Sequence, residues 1–427
     1  MSVLDQISMS MELRVDLKRN FIWNMIGSTC EAIMSLFALV IVNRVMGETA
    51  GGVFSFAFSH AQLMYYIGTL EVRPIQSTDV KDHYSFASYF SLRLISSAIM
   101  ILVCIVYACF MDADPIKKRI IMYMCLYKCT ESILDVFTSL YQQRGQIHYS
   151  GKISVIRVGI GLTAFTGVLV FFRNLEVACL MLVASGVFTL FSYNIVVWKR
   201  MPNAEIRFTG KDLLSIALDS IPLFISMAVM LYVGNAPKYA IDLYCTDVIQ
   251  NRYGILFMPA TAVILLSQFM IRPLLTPMAV LWSDHKKEEF RNKAIKQLLA
   301  IVLITFFGVA AAWLLGIPVL QLMYGVNLQA DKSVLLLVMV YGGLNAFSLF
   351  LYSMIALMGA QKWLLIGYII AAIAVFVFSP VLVRHYEMLG GVAASIIAMV
   401  LLDLVLQFIM IHAMKNDTGS KNEERYR

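Results

Sequence analysis

Long apolar runs recur from one end of this chain to the other and constrain its fold more than any other feature. About 20 apolar residues are what an α-helix needs to cross the hydrocarbon core of a bilayer. Roughly twelve such runs can be marked, near 21–46, 51–70, 85–110, 119–141, 153–172, 177–198, 213–234, 253–281, 294–315, 334–358, 363–383 and 391–413. Only 14% of the 427 residues are charged and 60% are hydrophobic, whereas a soluble domain carries about 25% charged residues. The expectation is an all-α membrane protein of about 12 transmembrane helices.

Charge placement orients it. Lys199, Arg200, Arg207 and Lys211 share one connection, and Lys286, Lys287, Arg291 and Lys293 another. Basic residues concentrate in cytoplasmic loops, so both termini are expected inside. Trp23, Trp198, Trp282 and Trp363 then fall at cytoplasmic ends, where interfacial aromatics collect. The net charge of +7 suits an anionic membrane face and does not call for nucleic acid. Arg14, Lys18 and Arg19 precede the first run with no small-residue cleavage site after it, which reads as an uncleaved first span.

The loop Lys199–Asp212 divides the chain into two halves of six spans. The expected organisation is a six-helix bundle over 1–200, a second over 201–413, a central cavity between them, and a cytoplasmic tail over 414–427. No loop is long enough for a catalytic module. Phosphate-loop, G-x-S-x-G and H-E-x-x-H motifs are missing, so no enzyme is expected. The seven cysteines contain no C-x-x-C pair; small buried residues are the reading, with neither metal nor cofactor.

The spans also carry polar stripes. Lys128, Glu131, Asp135, Thr138 and Gln142 follow at steps of three and four, on one face of a helix. Ionisable groups at bilayer depth cost about 2.5–3.5 kcal/mol each on insertion scales and face a bundle interior or a hydrated cavity. Asn24, Ser28, Glu31 and Ser35 form a similar face in the first span, and Ser55, Ser59, Gln62 and Tyr66 in the second, with His60 one position off. Tyr89, Arg93 and Ser96 add a third. Ser and Thr also serve as glue between helices, whereas Glu31, Lys128, Glu131 and Asp135 suggest a cavity. Arg93 and Arg157, near span ends, read as snorkelling residues. Later spans contribute Asp219, Pro222, Gln268, Arg272, Asn345, Tyr352 and Asp403.

Several passages together resemble the polysaccharide flippases of the multidrug/oligosaccharidyl-lipid/polysaccharide exporter superfamily, which translocate O-antigen and capsule repeat units. They are NFIWNMIGSTCEAIMSLFALVIVNRVMGETAGGVFSFAFS, LYQQRGQIHYSGK, DSIPLFISMAVMLYVGNAPKYAIDLYCTDVIQNRYGILFMPA and IRPLLTPMAVLW. The resemblance implies two six-helix bundles around a cleft in a bacterial inner membrane. It also implies transfer of an undecaprenyl-diphosphate-linked oligosaccharide from the cytoplasmic to the outer leaflet by alternating access.

Such a substrate needs cations for its diphosphate, for which Arg44, Lys128, Lys238 and Arg272 are candidates. Its sugars need hydroxyls and amides, such as Asn24, Ser28, Gln62, Asn345 and Tyr352. The inferred cavity sets three carboxylates, Glu31, Glu131 and Asp135, beside one clear cation, which leaves room for coupling by a proton or sodium ion. Expected partners are the lipid-linked oligosaccharide, membrane lipids, a polysaccharide polymerase and glycosyltransferases. A multidrug and toxin extrusion antiporter is the alternative within transport, and a membrane polymerase or ligase the alternative outside it.

Overall fold

The computed structural model describes residues 3–79, 82–201, 204–358, 360 and 363–416, with side chains from 19 onward apart from scattered positions. The described residues are helical with no strand. In order they form α1 (Val3–Met46), α2 (Glu48–Thr69), α3 (Arg73–Thr78), α4 (Phe86–Phe110), α5 (Pro115–Gln143), α6 (His148–Phe172), α7 (Leu175–Phe191) and α8 (Tyr193–Trp198). After the loop come α9 (Leu213–Tyr244), α10 (Asp247–Ser283), α11 (Lys287–Ala311), α12 (Ile317–Tyr324), α13 (Lys332–Leu357) and α14 (Leu364–Asn416). A π-helical turn, Ala312–Gly316, joins α11 to α12.

Burial runs opposite to that of a soluble protein. Arg93 is 2% exposed and Asp135 5%, while Phe306 is 65% exposed and Phe408 70%. Apolar surface on this scale is stable only against lipid, so the chain is a multi-pass membrane protein. Among the described residues, seven stretches are long and apolar enough to cross a membrane, or eight if Leu213–Ile221 and Leu223–Tyr244, which meet at 43°, count as one bent span. The long helices α2, α5 and α10 are not among those seven, and α5 carries the most charged of the stripes. Glu387, with φ 49°, breaks α14 between the predicted spans 363–383 and 391–413. The loop expected over 71–83 contains a helix, α3, because Pro74 supplies a helix-ready φ in its first turn.

The chain divides into two compact units, Met1–Ala228 and Val229–Arg427. In the first, α1 packs on α6, α2 on α5, and α5 on α4 and α7. Small residues permit the closest of these approaches, as expected where lipid supplies no hydrophobic drive between helices. A Cβ on Gly27 would stand 2.6 Å from Gly151 Cα, and one on Gly151 only 2.0 Å from the carbonyl oxygen of Trp23. In the second unit, α13 packs on α10, α11 and α14.

The connection between α2 and α4 is ordered by Asp79. It accepts hydrogen bonds from the backbone N–H of His83 (2.8 Å) and Tyr84 (3.0 Å) and from the Tyr89 hydroxyl (3.1 Å). Partial burial pushes its carboxyl up, but these donors outweigh that and hold it below the ordinary 3.8. A depressed folded value means the stabilisation is complete above the unfolded pKa and is lost as pH falls through the folded one. A carboxyl-NMR titration of Asp79 should give a midpoint below 3.8, and Tyr89→Phe should move it upward.

The α1–α6 contact yields a second expectation. Gly151→Val should lower the thermal midpoint in detergent by the equivalent of about 1–3 kcal/mol or more. Gly159→Ala, on the same helix with open space around its Cβ, should not lower it.

Candidate functional site

The α5 stripe predicted from spacing faces the interior of the first unit, where each of its charges meets a partner from another element or from its own helix. Glu131 receives Lys128 Nζ at 2.6 Å from one turn earlier and Arg157 Nη1 at 2.6 Å from α6. The same guanidinium reaches Glu31 on α1 at 2.8 Å, and Ser154 Oγ donates to that carboxylate at 2.6 Å. Arg157 therefore joins α1, α5 and α6 through two carboxylates.

One turn further along α5, Asp135 is held by Arg93 from α4 at 2.9 Å and by Arg73 from α3 at 3.2 Å. Arg93 also donates to the carbonyl of Gly68 (3.2 Å), as does Ser96 Oγ. Gly68 lies in the last turn of α2, whose carbonyls lack helical partners, so Arg93 neutralises an acid and caps a helix at once. Arg73 additionally contacts Gln142 Oε1 at 3.3 Å.

These groups border a cavity of about 100 Å³ lined by Asn24, Ser28, Glu31, Tyr65, Arg73, Glu131, Asp135, Thr138, Ser154 and Arg157, among others. Five sequence-derived candidates are thus brought together: Asn24, Ser28, Glu31, Glu131 and Asp135. Lys128 stands outside the lining. Its ammonium lies over the rings of Phe58 (5.0 Å), Tyr65 (5.6 Å) and Tyr127 (5.8 Å), an aromatic box that compensates for lost hydration.

The charge balance expected from sequence requires correction. Arg93 and Arg157 do not snorkel; both are buried and ion-paired, because buried carboxylates need cations at hand. Among the described residues, four cations, Arg73, Arg93, Lys128 and Arg157, meet three carboxylates in direct ion pairs, and the Glu71 carboxylate lies close enough to act on Arg73, Arg93 and Asp135, so there is no acidic excess. The side chains of Arg93 and Arg157 are 1% and 5% exposed, whereas Arg73 is 39% exposed. Arg73 is the cation with room for another ligand. Arg73 falls in the connection between the predicted spans 51–70 and 85–110, and the one sequence signal for its helix is Pro74 beside it, which marks a helix start.

The other candidates lie elsewhere. Arg44 is exposed at the end of α1, about 20 Å along the helix from Glu31, and Gln62 is half-buried on α2 outside the lining. In the second unit, Lys238 lies over the ring of Phe257 at 5.4 Å. Asn345 borders a void of about 20 Å³ with Tyr341, Ser348 and Tyr368. Tyr352 is exposed on α13. Arg272 lies on α10, and its side chain, like that of Gln268, falls outside the described residues. Asp403 on α14 accepts from Ser348 Oγ at 2.6 Å, and its other oxygen is buried without a hydrogen-bond partner.

Comparison with known proteins places this geometry. Residues 17–278 match the family described as polysaccharide biosynthesis protein. The capsular polysaccharide biosynthesis protein CapF of Staphylococcus aureus is 22% identical over 388 residues, covering 87% of this chain and 94% of that protein. Among solved structures, an inward-facing multidrug resistance MATE family transporter of the MOP superfamily superposes with a TM-score of 0.70 at 15% identity, covering 92% of this chain and 99% of that one. A MOP superfamily transporter from Pyrococcus furiosus, described as having a binding pocket of reverse polarity, gives 0.55 at 14% identity over 94% of this chain and 95% of its own. The fold is thus MATE-like.

Removing Arg157 costs both carboxylates an arginine, leaving Lys128 to Glu131 and Ser154 to a half-exposed Glu31, whereas removing one carboxylate still leaves the guanidinium a partner. Arg157→Ala should therefore destabilise the protein by about 1–3 kcal/mol, more than Glu31→Gln. Arg157→Lys should restore only part of the loss, since a single ammonium replaces a two-pronged donor. Thermal unfolding of the purified variants measures both differences.

Proposed function

The chain belongs to the polysaccharide biosynthesis protein family, and on that premise we propose that it is a flippase carrying undecaprenyl-diphosphate-linked oligosaccharide from the cytoplasmic to the outer leaflet of a bacterial inner membrane by alternating access. It is a transporter and not an enzyme. The observation that carries the substrate assignment is the half-open guanidinium of Arg73, which lines the cavity with Asn24, Ser28, Thr138 and Ser154. A planar guanidinium with spare donors suits a diphosphate oxygen. The amide and hydroxyls suit sugar hydroxyls.

The polarity also weighs against the antiporter alternative. A pocket for cationic drugs needs an uncompensated acid, and here Glu31, Glu131 and Asp135 each hold an arginine. Coupling by a proton or sodium ion belongs to the same proposal. Asp403, buried with one oxygen bonded only to Ser348, is the acid best placed to carry it. A polysaccharide polymerase and glycosyltransferases would act after and before translocation.

The test is glycan display in a deletion strain complemented with variants. Arg73→Ala should cut surface glycan by about tenfold, the equivalent of about 1.4 kcal/mol, at unchanged protein level, with lipid-linked repeat units accumulating on the inner leaflet. Arg73→Lys should retain an intermediate level. Normal display in Arg73→Ala would remove this residue from the substrate path. Drug sensitivity with normal glycan in the deletion strain would favour the antiporter.

A further inference from the structure

Away from the charged network, three side chains of the first unit converge from three helices: His60 of α2, Cys104 of α4 and Cys125 of α5. All three are buried, and one imidazole nitrogen and the two sulfur atoms lie within 4.8 Å of one another. We propose that these residues form a binding site for a thiophilic divalent d10 ion, zinc, that fastens α2, α4 and α5 together. The proposal goes beyond the transport reading and does not depend on it.

The donor set selects the metal class. Two cysteines and a histidine offer sulfur and nitrogen without an oxygen, which suits zinc and excludes calcium and magnesium. Zinc–sulfur and zinc–nitrogen bonds of about 2.3 and 2.0–2.1 Å place tetrahedral ligand atoms roughly 3.5–3.8 Å apart. The three atoms must therefore close by about 1 Å, a movement that side-chain torsions can supply without displacing a helix.

Charge favours the same ion. Zinc enters as the thiols of Cys104 and Cys125 each lose a proton to solvent, so two positive charges meet two thiolates and the complex is neutral. No electron is transferred. A neutral complex is the form that an apolar surround tolerates, since an isolated ion there would carry a large desolvation cost. Cys104 and Cys125 are fully buried, so the water that enters with the ion takes up the two protons and supplies the fourth ligand of the tetrahedron.

The imidazole plane is fixed by stacking on Tyr107, 4.1 Å between centroids and 25° between planes, with Phe56 at 6.1 Å on the same ring. Such outer contacts orient a ligating histidine in advance. The site lies about 10 Å along α4 from its C-cap, Met111, so an ion arriving from that end has a short path. Because the ligands come from three helices, local spacing along the chain carries no trace of the site.

The three helices are also those that supply Tyr65, Arg93, Glu131 and Asp135 to the charged network. Cys125 precedes Lys128 by one turn. A bound ion would hold α5 less than two turns before the point where Arg157 holds it at Glu131.

The experiment uses the full chain purified into lipid nanodiscs without added chelator. Wild type should carry about one zinc ion per chain by mass spectrometric metal analysis, and Cys104→Ser/Cys125→Ser less than about a tenth of that. After removal of zinc, wild type should take up Co2+ with a sulfur-to-cobalt charge-transfer band that the double variant lacks. His60→Ala should weaken metal uptake at least about tenfold. If the double variant does not fold, wild type decides: returning Zn2+ to the stripped protein should raise its thermal midpoint. Wild type without zinc, without the cobalt band and without that thermal response overturns the proposal. So does preferential uptake of cuprous ion, or equal zinc in wild type and a folded double variant.

Discussion

The organisation of the first unit rests on one guanidinium. Arg157 holds Glu31 from α1 and Glu131 from α5, and without it a half-exposed acid and a buried one would face each other across the contact. A buried pair is a poor source of net stability, because desolvation consumes most of the attraction. What the arrangement supplies is specificity: α1, α5 and α6 fit in one register, and sliding any of them by a turn leaves a charge unmatched. The small residues at Gly27 and Gly151 complete that register by letting α1 and α6 backbones touch.

Charge in this unit is graded from sealed to open. Lys128 is paired and boxed by rings, Arg93 is spent on Asp135 and on the end of α2, and Arg157 spans two acids. Arg73 alone combines an acid partner with substantial exposure among these four. The three sealed cations are engaged with their acids, whereas the open one keeps a face to solvent beside Asp135.

The fold class was legible because hydropathy is a property of consecutive residues. The α5 stripe was equally legible, since residues three and four apart on a helix must share a face, and Glu131 and Asp135 do share a cavity. The partners of those residues were not, because an ion pair between helices leaves no local pattern. Arg157 and Arg93 sit near predicted span ends, where snorkelling is the default physical account, and only tertiary packing distinguishes that from pairing. Arg73 was hidden for a different reason. Its helix has six residues, too few to display a hydrophobic period. The convergence of His60, Cys104 and Cys125 belongs with the ion pairs, as a product of packing between helices.

The smallness of α3 has a consequence of its own. A one-and-a-half-turn helix cannot sustain itself; it rests on α5 through Arg73 to Asp135 and through the Gln76 amide to the carbonyl of Val136 at 3.0 Å. The most exposed guanidinium of the network is therefore also the clasp that keeps its own support in place. Whatever loosens Arg73 from Asp135 would slacken that clasp, so the pairing on α5 and the seating of the segment that links α2 and α4 are one and the same constraint.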